Sequence, residues 1–84
     1  MNTPPPPEDH AADVEVGQRV EEALIVKRVT VKALAAHLGM SYSTMRRTLG
    51  GERSFTIRQL RQVAKILGID PAILLPIEVI EDAA

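Results

Sequence analysis

Eighty-four residues leave room for one small domain, and with 45% hydrophobic but only 2% aromatic residues its core must be aliphatic and helical. The chain has no cysteine, which excludes a disulfide framework and a thiolate metal site. No apolar run approaches the roughly 18 residues that would cross a bilayer, and the formal net charge of −1 gives no overall attraction for polyanions.

Residues 1–12, MNTPPPPEDHAA, read as a disordered Pro-rich acidic tail: Pro4 to Pro7 favour polyproline II, and little nearby is apolar enough to bury. His10 lies in this tail with no partner indicated by spacing. The domain proper is expected over residues 13–76. From Asp13, a candidate N-cap, to Arg28 the pattern is helical. Val16, Val20, Ala23, Leu24 and the stem of Lys27 share one face, while Ile25 and Val26 fall off that stripe and imply a second apolar contact.

Thr30 to Gly51 reads as two short helices joined at Gly39-Met40-Ser41. Thr30 caps the first, whose Val31, Leu34, Ala35 and Leu38 recur at helical spacing. Gly39 supplies the left-handed residue that ends it, and Ser41 caps the second over about residues 42–50. Small Ala35 lets the two helices cross closely. Two capped helices and a three-residue turn make a helix-turn-helix. With Met45 and Leu49 inward, Ser43 and Arg47 point away from the core, Thr44 and Arg46 flank them, and Tyr42 opens the first turn. The outward side of this helix contains no acidic residue. Hydroxyls and guanidinium groups on such a face suit the major groove, where Arg takes guanine O6 and N7 together and Ser or Thr bonds several base edges.

Beyond Gly50-Gly51, residues 52–55 form a loop with Phe55 as a core plug. Thr56 to Gln59 has the form of a capping box. The helix it starts is expected to bury Ile57, Leu60, Val63, Ala64 and Leu67 and to expose Arg58, Arg61, Gln62 and Lys65, with Gly68 ending it. Asp70-Pro71 starts a short fifth helix to Leu75, which Pro76 stops. Residues 77–84 form a C-terminal arm, read as a strand pairing with its copy, as a segment over the first helix, or as a frayed terminus.

The net charge conceals a segregation. Residues 1–22 hold Glu8, Asp9, Asp13, Glu15, Glu21 and Glu22 against Arg19, a net −5. Residues 23–69 hold Lys27, Arg28, Lys32, Arg46, Arg47, Arg53, Arg58, Arg61 and Lys65 against Glu52, a net +8. Residues 70–84 hold Asp70, Glu78, Glu81 and Asp82, a net −4. A basic module between acidic ends is the footprint of a nucleic-acid binder. Catalysis has little support: there is no acid pair around an apolar pocket, no phosphate-cradling loop and no metal-ligand cluster, and His37 sits on an exposed helix face. No enzyme activity, cofactor, metal or small-molecule ligand is expected.

The series Leu34-Ala35, Gly39, Ser41, Met45, Gly51, then Leu60, Val63-Ala64, Leu67-Gly68 and Asp70-Pro71 resembles the Cro/cI-type (Xre-like) helix-turn-helix family over about residues 16–75. The resemblance implies an all-α, compact five-helix, lambda-repressor-like domain. It also implies base readout by Tyr42, Ser43, Arg46 and Arg47, and phosphate contacts from Lys32, His37, Thr44, Arg53 and Arg58. Four positions depart from the family pattern: Leu24 where arginine is common, Arg28 where glycine is common, Thr48 where a large aliphatic residue is usual, and Val31 in place of a phosphate-binding glutamine.

The function expected is sequence-specific binding of double-stranded DNA by a cytoplasmic transcriptional repressor acting through operator occupancy, similar to a Cro-type phage repressor or a small immunity regulator. The alternative is a protein-interaction module, such as an antitoxin or regulator subunit. The apolar flank of Ile25, Val26, Ile66, Ile77, Val79 and Ile80 is the candidate surface for a homodimer or for such a partner.

Overall fold

A computed structural model describes residues 7–75, with side chains from Ala11 onward. Four α-helices follow in order: α1 (Pro7–Lys27), α2 (Val31–Leu38), α3 (Tyr42–Leu49) and α4 (Ile57–Leu67), then a 3-10 helix (Pro71–Leu74). The described residues form an all-α fold joined by short turns, with no strand among them. The first helix packs on α3, α4 and the 3-10 helix, and α2 packs on α3 and α4. The core they enclose is aliphatic, with Val20, Leu24, Leu34, Met45, Val63 and Leu74 at its centre and Phe55 packed partly buried against it.

The helix starts follow from local chemistry. Thr30, Ser41 and Thr56 each adopt extended backbone and accept a hydrogen bond from the amide three residues on. Thr56 and Gln59 form the full reciprocal capping box, at 3.0 Å in both directions. Each of these bonds satisfies an amide that a helix start would otherwise leave unpaired.

All four α-helices end alike. Val29, Met40, Glu52 and Ile69 donate their N–H groups back to the carbonyls of Leu24, Ala35, Arg47 and Ala64, each five residues earlier. The residue just before each donor is left-handed: Arg28 at φ 59, Gly39 at 68, Gly51 at 88 and Gly68 at 69. This closure satisfies the last carbonyls and turns the chain sharply. Three of the four left-handed positions hold glycine, and the first holds arginine.

Several expectations are corrected. Helix α1 begins at Pro7 rather than near Asp13. Proline is pre-organised for the first helical position. Asp13 is therefore inside α1 and caps nothing; its carboxylate accepts a 2.8 Å hydrogen bond from Ser54 Oγ in the loop after α3. The fifth helix is a 3-10 turn, because its closing bonds run from Ile73 to Asp70 and from Leu75 to Ala72, three residues apart. Ile57 is 73% exposed rather than buried. It is the first residue of α4, and side chains there lean past the helix end, away from the core. The tail residues 1–6, the helix stop at Pro76 and the arm 77–84 lie outside the described residues.

Candidate nucleic-acid interface

The second helix of the pair is fixed by what it buries. Met45, Thr48 and Leu49 are the buried residues of α3, so its opposite side cannot turn inward. Tyr42, Ser43, Arg46 and Arg47 are all exposed, and Thr44 is half-buried at the edge. At the helix start Ser41 Oγ accepts from Thr44 N–H at 3.1 Å and bonds Thr44 Oγ1 at 2.9 Å, with Ser43 Oγ 3.4 Å away. A hydroxyl cluster thus lies at the positive end of α3, ahead of two guanidinium groups.

Thr48, standing where the family pattern has a large aliphatic side chain, is buried, and its hydroxyl donates to the Thr44 carbonyl at 2.8 Å. That bond lets a polar side chain enter the core without an unsatisfied group. Leu24, in place of the frequent arginine, is simply core. The other candidate contact residues sit on three different segments. Lys32 lies in the first turn of α2, His37 in its last turn, Arg53 in the loop after α3, and Arg58 in the first turn of α4. All four are exposed, and among the described residues none of them takes part in an ion pair.

Both arginines of α3 have a carboxylate partner, which periodicity alone did not reveal. Arg46 Nη1 lies 3.4 Å from Glu21 Oε2 on α1, and Arg47 Nε lies 3.6 Å from Glu52 Oε1 in the following loop. The outward side of α3 has no acid of its own, yet neighbouring segments bring one to each guanidinium. Glu21 is remote in sequence and gave no signal. Glu52 was legible in principle, since the helix-ending bond from Glu52 N–H to the Arg47 carbonyl, 3.0 Å long, follows from a glycine at position 51.

The apolar flank divides. Ile25 and Val26 are 75% and 74% exposed, whereas Ile66 is partly buried against the core. Ile77, Val79 and Ile80 lie outside the described residues. Exposed Ile73 on the 3-10 helix lines a shallow hollow together with Val26 and Ala23. No helix among the described residues is long and apolar enough to cross a membrane, and no group of three potential metal ligands occurs among them.

Two crossed, capped helices whose second member turns a cationic, hydroxyl-bearing side outward define a helix-turn-helix domain of the Cro/cI-type (Xre-like) family. A family model described as the BetR domain matches residues 8–83. The chain belongs to the BetR domain family. Among solved structures it is similar to the restriction-modification controller protein C.AhdI from Aeromonas hydrophila, with 27% identity and a TM-score of 0.66, over 74% of this chain and 94% of that one. It is also similar to part of apo-HppE, with 26% identity and a TM-score of 0.69, over 77% of this chain but only 36% of that one. No curated protein matches the chain.

Proposed function

We propose that this domain binds double-stranded DNA sequence-specifically by laying α3 in the major groove, and that it represses transcription by occupying an operator, as a cytoplasmic regulator of phage or host genes. The observation that carries this reading is the exposed side of α3: Tyr42, Ser43, Arg46 and Arg47 on a helix whose other side is locked into the core. Arg46 and Arg47 read bases, with Tyr42 and Ser43 at the helix start. Lys32, His37, Thr44, Arg53 and Arg58 contact phosphates on either side. Likeness to a restriction-modification controller protein supports a regulatory role. The test is selection of bound duplexes from a random pool, followed by Arg47→Ala on the enriched sequence. Arg47→Ala is expected to abolish discrimination at the base pair that Arg47 reads and to retain discrimination elsewhere and general binding. Equal binding by the variant and the wild type would remove Arg47 from base readout.

A second reading has its own support. Exposed Ile25, Val26 and Ile73 suit a homodimer contact, or a partner for which this fold serves as an antitoxin or regulator subunit. A palindromic selected site with half-sites one helical turn apart is the signature of the homodimer. Co-purification of a fixed protein that displaces DNA is the signature of the interaction module.

A further inference from the structure

We infer that Glu52 is a positioning residue for base readout, acting through Arg47, and that the two arginines of α3 are thereby set to different tasks. The inference rests on the reading of α3 as the groove-binding helix and adds a residue to it.

Gly51, at φ 88, donates its N–H to the Thr48 carbonyl at 3.1 Å, and Glu52 donates its own to the Arg47 carbonyl at 3.0 Å. The turn has no slack, because a Cβ on Gly51 would stand 2.5 Å from Val14 Cγ2 and 3.0 Å from Val14 Cα on α1. Glu52 is therefore tied by its backbone to the residue its side chain meets. Its Oε1 lies 3.6 Å from Arg47 Nε.

Which nitrogen is engaged decides what the arginine can still do. A guanidinium carries five N–H donors in a fixed plane. A carboxylate on the Nε side leaves the two terminal nitrogens free, and that terminal fork matches guanine O6 and N7. Arg47 can thus be held and read at once. The Arg46 pair is different: Glu21 meets a terminal nitrogen, Nη1, at 3.4 Å. One prong of that fork is occupied, and Arg46 must exchange a carboxylate before it reads a base end-on.

Stability does not account for Glu52. Its pair with Arg47 is exposed on both sides, with side chains 67% and 58% accessible, and exposed pairs contribute little. Its charge also opposes phosphate binding, and it is the sole acid among residues 23–69. A carboxylate there weakens contact with any duplex and strengthens discrimination among duplexes.

The experiment measures Glu52→Gln and Glu52→Ala, each in the wild-type and Arg47→Ala backgrounds. Affinity is read on the selected duplex, on its single-base variants and on a non-cognate duplex. Expected for both variants are a rise of about threefold in non-cognate affinity and a fall of about threefold in discrimination at the one base pair read by Arg47. Discrimination elsewhere and the thermal midpoint stay unchanged, and in the Arg47→Ala background the effect on discrimination disappears. A uniform rise in affinity for every duplex overturns the inference, reducing Glu52 to a negative charge. So does a loss of discrimination that persists without Arg47. If the wild type enriches no duplex at all, the DNA reading itself falls and takes this inference with it.

Discussion

Gly17, in the middle of α1, lies so close to the Leu49 carbonyl that a Cβ built on it would stand 2.0 Å from that oxygen and 2.8 Å from its carbon. The last turn of the candidate recognition helix is thus seated directly on the backbone of α1. A backbone oxygen cannot swing aside as a flexible side chain can, so any larger residue must push the two helices apart.

Gly17→Ala makes this testable, because two effects oppose each other. Within an exposed helix alanine would stabilise by about 1 kcal/mol. Here overpacking against backbone is expected to dominate, for a net loss of about 2 kcal/mol, or roughly 10 °C in the unfolding midpoint of a domain this size. A calorimetric scan gives the sign. A midpoint at or above that of the wild type would show that α1 and α3 can separate at no cost.

Arg28 offers the reverse case. It is the one non-glycine residue at positive φ among the described residues, and it occupies the position that glycine fills at the ends of the other three α-helices. Left-handed backbone costs a residue with a Cβ about 1–2 kcal/mol, part of which glycine returns through greater freedom when unfolded. Arg28→Gly is therefore expected to raise stability by about 1 kcal/mol in chemical denaturation. If arginine is retained here for its charge beside α2, the same variant will bind all duplexes more weakly, with discrimination unchanged.

These two positions show where the sequence is informative and where it is not. Thr30, Ser41, Thr56 and the glycines at 39 and 68 act within five residues of themselves, so their caps and turns could be read from local spacing. The inward side of α3 was legible for the same reason, since Met45 and Leu49 are one turn apart. Gly17 gave no signal, because its reason is a carbonyl on another helix. Glu21 looked like part of an acidic segment, and only the packing of α1 on α3 brings it to Arg46. Periodicity points Ile57 toward the core because it gives a direction but not whether a neighbour lies along it. Asp13 has the chemistry of a cap, but nothing local signals the longer helix or its hydrogen bond to Ser54.

Thr48→Val tests how the core accepts a hydroxyl. The Thr44 carbonyl that it meets belongs to the helix ladder, so removing the donor need not leave an orphaned acceptor. Valine keeps the shape and drops a bond that competes with helix geometry. The expected result is a stability change of less than about 1 kcal/mol, neutral or favourable. A loss of more than about 2 kcal/mol would mean that the hydroxyl does more for the core than close its own bond.

Phosphate contact and surface charge leave different signatures in the salt dependence of binding. Lys32, Arg53 and Arg58 are exposed cations without ion-pair partners among the described residues, and so are Arg61 and Lys65 farther along α4. If the first three meet phosphates, changing any one to glutamine releases one fewer counterion. The slope of log affinity against log salt should then flatten by about 0.9 per substitution, for cognate and non-cognate duplexes alike. Arg61→Gln and Lys65→Gln remove the same formal charge from the same molecule. They should weaken binding only through the long-range field, which is largely screened beyond about 10 Å at 0.1 M salt, and leave the slope nearly intact. Equal flattening by all five substitutions would mean that the domain attracts DNA by total charge, with no defined set of backbone contacts.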